Sequence, residues 1–440
     1  MRGTTGLRLN SAIWTAPAAL GLVLLYFFTG FLSDFRFIED GLYDASTVTS
    51  YALSSVYAVT YAVASSLAAW ESGRLVRDGV WRLAPARSQV HVAFNALLPV
   101  LLLAWSMLLL PVVLALARQD TMPTGGCLIL PLLGMAVATA HVIIGFLVGR
   151  VVPRLVATPV LAVLVFYGVA ASWSREPFWL RHVSGQWPAE LAFAELPTVE
   201  ALLPHVLFIG SIALGAMLMW AHGQSALRRT AVLLAGVAVA VGGTWTSYAV
   251  ARDWGPAPPL STGHASVVCT GRAPEICLPE AAGIKGTSLR SDVVAVLNRL
   301  AQAGVAIRQP TKVSDDVLNG QSDRPSTRAV WWLPLTESHA TGTTRFTVLR
   351  QAVALPCSSP DPVAGRSAVL WAATVVGEGD AYVKWQSQEL QQFSTGEQIL
   401  DTAIERVTDA QALPPAEQAA WYAAEAGRAC DGRGSGWAAS

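Results

Sequence analysis

Residues 93–117 read AFNALLPVLLLAWSMLLLPVVLALA, 25 consecutive positions without an Asp, Glu, Lys or Arg. At about 1.5 Å rise per residue this run makes a helix about 37 Å long, enough to cross a hydrocarbon core of about 30 Å. Helices in the core of a water-soluble domain are rarely so long and so free of charge. Six other runs share the property: Ile13–Leu32, Ser50–Trp70, Cys127–Gly149, Leu155–Trp173, Pro204–Ala221 and Ala231–Ala251. Ser50–Trp70 is the least apolar. Its Ser, Thr, Tyr and Ala predict a helix packed inside the bundle through small residues. Pro99, Pro111, Pro131 and Pro159 predict kinks, and Trp14, Trp70, Trp173 and Trp245 predict anchors at the lipid–water boundary. The first run is too long for a secretory leader and lacks a small-residue cleavage signal, so it is expected to stay as a span.

Composition agrees with this reading. The chain of 440 residues is 53% hydrophobic and 14% charged, where soluble domains average about 25% charged. Net charge is +0, so there is no global basic footprint and no nucleic-acid partner is expected. Cations are nearly all arginine, with lysine only at Lys285, Lys312 and Lys384. With abundant Ala, Gly and Val, that points to a GC-rich bacterial genome. The uncharged runs end near Arg252, where the Pro- and Gly-rich DWGPAPPLSTGHA begins. The expected architecture is a membrane all-α bundle of six plus one transmembrane helices over residues 1–252. A small exported α/β or α+β domain over residues 253–440 follows it.

Loop charges orient the chain, because Arg and Lys in short loops favour the cytoplasm. With the N-terminus inside, the inner segments hold Arg2, Arg8, Arg74, Arg77, Arg82, Arg87, Arg150, Arg154, Arg228 and Arg229. The outer segments hold Arg36, Arg118, Arg175 and Arg181, among the acids Asp34, Glu39, Asp40, Asp44, Glu176, Glu190, Glu195 and Glu200. Seven spans then put the C-terminal domain outside a bacterial plasma membrane. Four of the five cysteines, Cys269, Cys277, Cys357 and Cys430, lie in that domain. An even number in an exported domain predicts disulfides, with three possible pairings. Cys269 with Cys277 closing a hairpin, and Cys357 with Cys430 tying the last helix to a preceding strand, is the expected set. Unpaired thiols in a cytoplasmic domain are the alternative. No metal site is expected, since the cysteines do not form two close pairs and His264 and His339 complete no ligand pattern with them.

The segment ESGRLVRDGVWRLAPARSQVH, from Glu71 to His91, carries an apolar side of Leu75, Val76, Val80, Trp81 and Leu83. Its polar side holds Arg74, Arg77, Asp78 and Arg82. Chemistry alone fits a short amphipathic helix at the cytoplasmic surface, broken near Pro85. Inside the spans, Asn95 and His141 are the polar residues singled out for a path or gate, with the Ser and Thr of the second run, because polar groups in hydrocarbon are costly. No pair of intramembrane carboxylates supports a proton- or sodium-coupled carrier.

This order of parts resembles the permease of an ABC transporter of the type-2 exporter class, in its actinobacterial form, over residues 1–221. The resemblance rests on a coupling segment of E-x-x-R-x-x-R-x-G type (Glu71, Arg74, Arg77 and Gly79, with Arg82 beyond). It rests also on the tight hairpin GRVVPRLVATP at Gly149–Pro159 and on the external stretch Ser174–Leu203, where such permeases carry short half-helices. It implies a permease-like subunit docking a separate ABC ATPase through the coupling segment, with a second copy or a second permease beside it in the bilayer. Such permeases end after six spans, so the seventh and the domain after it are an addition. No nucleotide site lies in this chain: Gly283-Ile-Lys-Gly-Thr-Ser288 lacks the phosphate-loop spacing, and ATP is expected on the partner. The alternative is a membrane-anchored extracytoplasmic binding or sensor protein whose spans are a scaffold.

In the exported part, Ser266–Cys269 and Glu275–Leu278 read as strands around a turn at Gly271–Pro274. Leu289, Val293, Val296, Leu297 and Leu300 predict a helix over Ser288–Ala303. Ala329–Leu335 and Phe346–Leu355 read as strands, and Glu397–Ala410 and Ala416–Cys430 as helices. No nucleophile elbow or zinc-protease motif occurs. Ser266, His264 and Asp292 are a trio any domain of this size offers, so no enzyme and no cofactor are expected. The orientation is open to test with a membrane-impermeant thiol reagent on intact cells. Cysteines placed in Thr311–Asp323 should label and those placed in Arg82–Ser88 should not; the reverse pattern inverts the topology.

Overall fold

The computed structural model describes residues 10–32, 42–83, 88–220, 226–307, 309–322, 324–390 and 396–431. Arg2, Arg8, Asp34, Arg36, Glu39, Asp40, Pro85 and Arg87 of the sequence argument lie outside them, as does the side chain of Arg82. The chain divides into two compact units, Met1–His264 and Ala265–Ser440.

Six helices in the first unit are long and apolar enough to cross a membrane, seven if one bent pair counts as a span. The first, α1 (Ser11–Tyr26), begins on Asn10, whose side chain accepts from the Ala12 amide, and runs on as a π-helical turn over Phe27–Phe31. The second expected span is the bent pair. Asp44 caps α2 (Ala45–Ser54), and the chain turns by 56° into α3 (Tyr57–Arg77). The short α4 (Val80–Leu83) and the long α5 (Gln89–Arg118) follow. Next come α6 (Ile129–Val151) and α7 (Arg154–Ser172), joined across Val152-Pro153. A five-residue α8 (Trp179–Val183) stands where short external half-helices were expected. The strand β1 (Leu196–Pro197) leads into α9 (Val199–Trp220), and α10 (Ala226–Ala251) leads to β2 (Leu260–Ser261), which pairs antiparallel with β1.

The prolines expected to kink spans do not interrupt them. Pro99 and Pro111 lie inside α5 and Pro159 inside α7. The one sharp bend falls at Ser55–Val56, where no proline stands.

Hydrophobic burial cannot hold helices together in lipid, so close backbone approach and interhelical polar contacts do it. In this bundle the approach is between α3 and α6. A Cβ built on Gly145 would stand 2.1 Å from the Ser65 carbonyl oxygen, and one on Gly149 2.2 Å from that of Ala69. Ser65 and Ala69 repeat at the same four-residue interval as the glycines, so one face of small residues lies on another. The interval continues to Gly73, where an added Cβ would meet the Arg154 side chain of α7 at 2.6 Å. The result is a central α3, buried along most of its length. A second small-residue contact joins α9 to α10, with Gly215 and Gly236 each facing the other's carbonyl. The tenth helix is otherwise largely exposed, so the seventh span leans on the sixth.

In the second unit β3 (Val267–Thr270) and β4 (Glu275–Pro279) form an antiparallel hairpin. The amphipathic α11 (Gly286–Gln302) crosses to β5 (Lys312–Asp315), parallel to β4, and β6 (Val330–Leu333) adds in parallel. The sheet order is β3-β4-β5-β6. Then come α12 (Leu335–Ala340), α13 (Thr344–Ala352), α14 (Pro362–Val376), α15 (Gly379–Leu390), α16 (Gly396–Gln411) and α17 (Pro415–Cys430). The stretch Phe346–Leu355 is thus not a strand. Its buried Phe346, Leu349 and Val353 sit three and four apart, a helical period, while Phe346 and Val348 alone gave a false alternation. Strand β5 and helices α14 and α15 were not foreseen. Both expected disulfides are present, Cys269–Cys277 across directly opposed residues of the hairpin and Cys357–Cys430. The second ties the end of α17 to the loop before α14 rather than to a strand.

The α3–α6 contact is tested by Gly149→Leu. The clash is with backbone, which cannot turn aside, so overpacking should cost about 3 kcal/mol or more. It should show as a clear fall in the thermal midpoint of the detergent-solubilised protein. Gly168→Leu, at a glycine with open space around it, should leave the midpoint in place. Equal midpoints for both variants defeat the interpretation.

Candidate functional site: the two ends of the central helix

The arginine-rich end of α3 differs from its expected use. Glu71 is fully buried. Its Oε1 accepts from the Ser11 backbone N–H (2.8 Å) and hydroxyl (2.6 Å), and its Oε2 pairs with Arg74 at 2.6 Å. The carboxylate therefore sits on the N-terminus of α1, where unsatisfied N–H groups and the helix dipole favour an anion. Glu71 and Arg74 were singled out as partner-facing. The fold turns both inward, because a carboxylate this deep needs a donor set and α1 supplies one. Arg77 remains outside, 61% exposed, and among the described residues its ion pair is with its neighbour Asp78. Gly79 adopts a φ of +66°, a left-handed turn that ends the helix and that residues with a Cβ rarely adopt. Beyond it Trp81 packs edge-on against Phe146 and Trp220, and the Arg150 guanidinium lies over both indoles, 4.6 and 5.1 Å from the ring centres. Arg154 stands likewise over Trp70 at 4.5 Å. A cavity of about 420 Å³ opens here, lined by Gly73, Val76, Arg77, Gly149, Arg150 and Arg154 among others.

The other end of α3 lies in a polar interior. The chain between α8 and β1 threads against the α2–α3 bend. Gln186 donates to the Ser54 carbonyl at the bend (3.2 Å), Leu191 N–H to the Ser50 hydroxyl (3.0 Å), and the Thr47 hydroxyl to Ala192 O (3.2 Å). Tyr61 donates to Gly185 O at 2.8 Å, and Gly185 N–H donates to His205 Nδ1 at 3.2 Å. His141 is buried and stacks on the Tyr61 ring, centroids 5.0 Å apart. Around this hub Thr49 Oγ1, Tyr57 OH, Thr60 Oγ1, His141 Nε2, Trp187 Nε1 and His205 Nε2 are buried without a hydrogen-bond partner among the described residues. An unmet buried polar group costs about 1–3 kcal/mol, so a set of six in one region suits water or a polar solute. His141 also lines a largely apolar cavity of about 410 Å³ between α6, α7, α8 and α9, with Tyr167, Ser172 and Arg175 on its wall. Outside the spans, His182 Nε2–H donates to Gly255 O (2.9 Å). Burial, and secondarily the neighbouring Arg181, holds its imidazole below the usual histidine range against that bond.

Asn95, the other polar residue singled out, faces outward near the start of α5 and takes no part in this hub. Sequence reasoning found His141 but not Tyr57, Tyr61, Trp187 or His205. Two aromatics four apart in the least apolar span were the available signal. In the second unit Cys269, Glu275 and Cys277 come close enough together to suggest a metal set, but the two sulfurs are bonded to each other.

No family model, curated protein or solved structure matches the chain. The function rests on the geometry above.

The inward role of Glu71 has a direct test. Glu71→Ala removes the acceptor of the Ser11 N–H and the carboxylate beside Arg74, and with Arg74 partly exposed the loss should be about 2 kcal/mol. Glu71→Gln, which still accepts from Ser11, should lose less, and Arg77→Ala nothing measurable in the thermal midpoint. A native midpoint for Glu71→Ala removes the claim.

Proposed function

We propose that the first unit is the permease-like subunit of an exporter-type ABC transporter in a bacterial plasma membrane, working with a separate ATPase chain that binds the ATP. In this reading the N-terminus is cytoplasmic and the second unit lies outside. The observation that carries it is the course of α3. One unbroken helix of about 30 Å joins the arginine-bearing end at Arg77 to the polar hub at Tyr57 and Tyr61, through the centre of the bundle. A displacement applied at one end of a packed helix reaches the other, and the 56° bend beyond Tyr57 is where it can change the shape of the hub.

With Glu71 and Arg74 held inside, the docking surface narrows to Arg77, Asp78 and the 43% exposed Val76, with Gly79 setting the turn. The second reading, a binding or sensor protein anchored by its spans, draws on a cavity of about 570 Å³ in the second unit.

Arg77→Glu reverses the charge on the surface a partner would meet while leaving the buried Glu71–Arg74 pair alone. It should insert normally and recover at least about tenfold less ATPase in a pull-down, the effect of losing one charge-assisted contact. Undiminished recovery rejects the docking role. If the unaltered chain recovers no ATPase, the anchored binding protein becomes the better reading.

A further inference from the structure

The cavity of the second unit is built by α13, α14 and α15, beside the Cys357–Cys430 disulfide. Its volume of about 570 Å³ is that of a small-molecule site. Two arginines edge it. The Arg350 guanidinium lies over the Trp385 ring, 4.2 Å from its centre, and has no carboxylate partner among the described residues. Arg366 is held in place by neutral acceptors, with Nε donating to Gln386 Oε1 (2.6 Å) and an η-nitrogen to Pro362 O (2.9 Å). That leaves most of its fork of donors unused. Gln386 itself is buried, and its amide nitrogen reaches Glu389 at 3.3 Å.

The acid on the wall is already engaged. Asp361 Oδ1 accepts from the Val363 and Ala364 N–H groups and so caps α14. Tyr382 closes the floor. Its hydroxyl has no hydrogen-bond partner among the described residues, and burial above all holds the phenol well above the usual tyrosine range, so it stays a donor. The site therefore offers two cations not paired with a carboxylate among the described residues, a phenol O–H, and the half-buried Trp385 ring beside Arg350. A cavity of this kind attracts negative charge at one end and flat apolar surface at the other.

We propose that this cavity binds a small organic anion: an anionic oxygen head, carboxylate or phosphate, carried on a flat or apolar body. The head lies between Arg350 and Arg366 within reach of the Tyr382 hydroxyl, and the body lies along Trp385. The proposal is independent of whether the spans transport anything.

The test uses the full chain in detergent and calorimetric titration. Phenyl phosphate should bind saturably, inorganic phosphate more weakly, and benzyl alcohol not at all. The double variant Arg350→Gln, Arg366→Gln should lose at least about tenfold in affinity for phenyl phosphate, as expected for removal of charge-assisted bonds. Trp385→Leu should weaken phenyl phosphate by more than it weakens inorganic phosphate, because the ring both contacts the apolar body and supports Arg350. Dihexanoyl phosphatidate binding tighter than phenyl phosphate assigns the ligand to lipid, and the reverse order to a soluble metabolite; either supports the site. Circular dichroism and intact disulfides confirm that the double variant is folded. If it is not, Arg350→Gln alone serves, because that exposed side chain makes no hydrogen bond among the described residues. No saturable binding of either phosphate ester, or native affinity in the folded arginine variant, overturns the proposal.

Discussion

The membrane unit depends on the approach of α3 to α6, where two glycines meet the backbone of Ser65 and Ala69. Lipid tails are as apolar as leucine, so helices that separate lose little hydrophobic energy. What separation loses is dispersion contact at very short range, which needs small residues on both faces. The four-residue interval of Ser65, Ala69 and Gly73 on one helix, and of Gly145 and Gly149 on the other, supplies that geometry. Every polar contact of the hub presupposes it. Tyr61 lies one turn along α3 from Ser65, and His141 one turn along α6 from Gly145, so the pair of rings stacks only while the two faces are in register.

The same contact explains why Glu71 is not at the surface. Once α3 runs through the centre of the bundle, it stays buried as far as Gly73, and a carboxylate at Glu71 must find donors within the protein. The start of α1 provides them, with Asn10 bound to the Ala96 carbonyl of α5 at 2.9 Å and Ser11 bound to Glu71. Three helices are thus fixed at one end by a few polar bonds. Arginines along this end take a different course and lie on the indoles of Trp70, Trp81 and Trp220, where a cation keeps favourable surroundings with little water.

Legibility in the sequence followed the length of the signal. Runs of twenty or so uncharged residues marked the helices that are long and apolar enough to cross a membrane. The caps at Asn10 and Asp44 and the turn at Gly79 follow local chemistry. The break at Ser55–Val56 was not legible, since no proline or glycine marks it. Its cause is tertiary, with Gln186 from a distant loop taking the Ser54 carbonyl. Glu71 and Arg74 matched a surface pattern of charges at helical spacing, yet spacing does not say which side of a helix faces in. In the second unit the cysteine pairs were legible, while the helix at Thr344–Ala352 was read as a strand. Three apolar residues in a short segment satisfy both periods until the packing partner is known.

In the proposed transport reading, the buried ion pair limits what a push at Arg77 can do. Glu71 ties α3 to the N-terminus of α1, and Gly145 and Gly149 tie it to α6, so α3 cannot slide alone without breaking bonds that have no replacement in lipid. The element free to respond is the pair α9–α10, joined internally through Gly215 and Gly236. It meets the α3 side of the bundle through side chains, with Trp220 against Phe146 and Trp81 at one end and the Gly185 N–H to His205 bond at the other. Motion at the hub is then a shift between two groups of helices together with a change at the α2–α3 bend. The unpartnered Nε2 atoms of His141 on α6 and His205 on α9 belong to opposite groups. A polar solute admitted between them would meet one imidazole from each side, and its hydrogen bonds would form only in the arrangement that brings the two groups together.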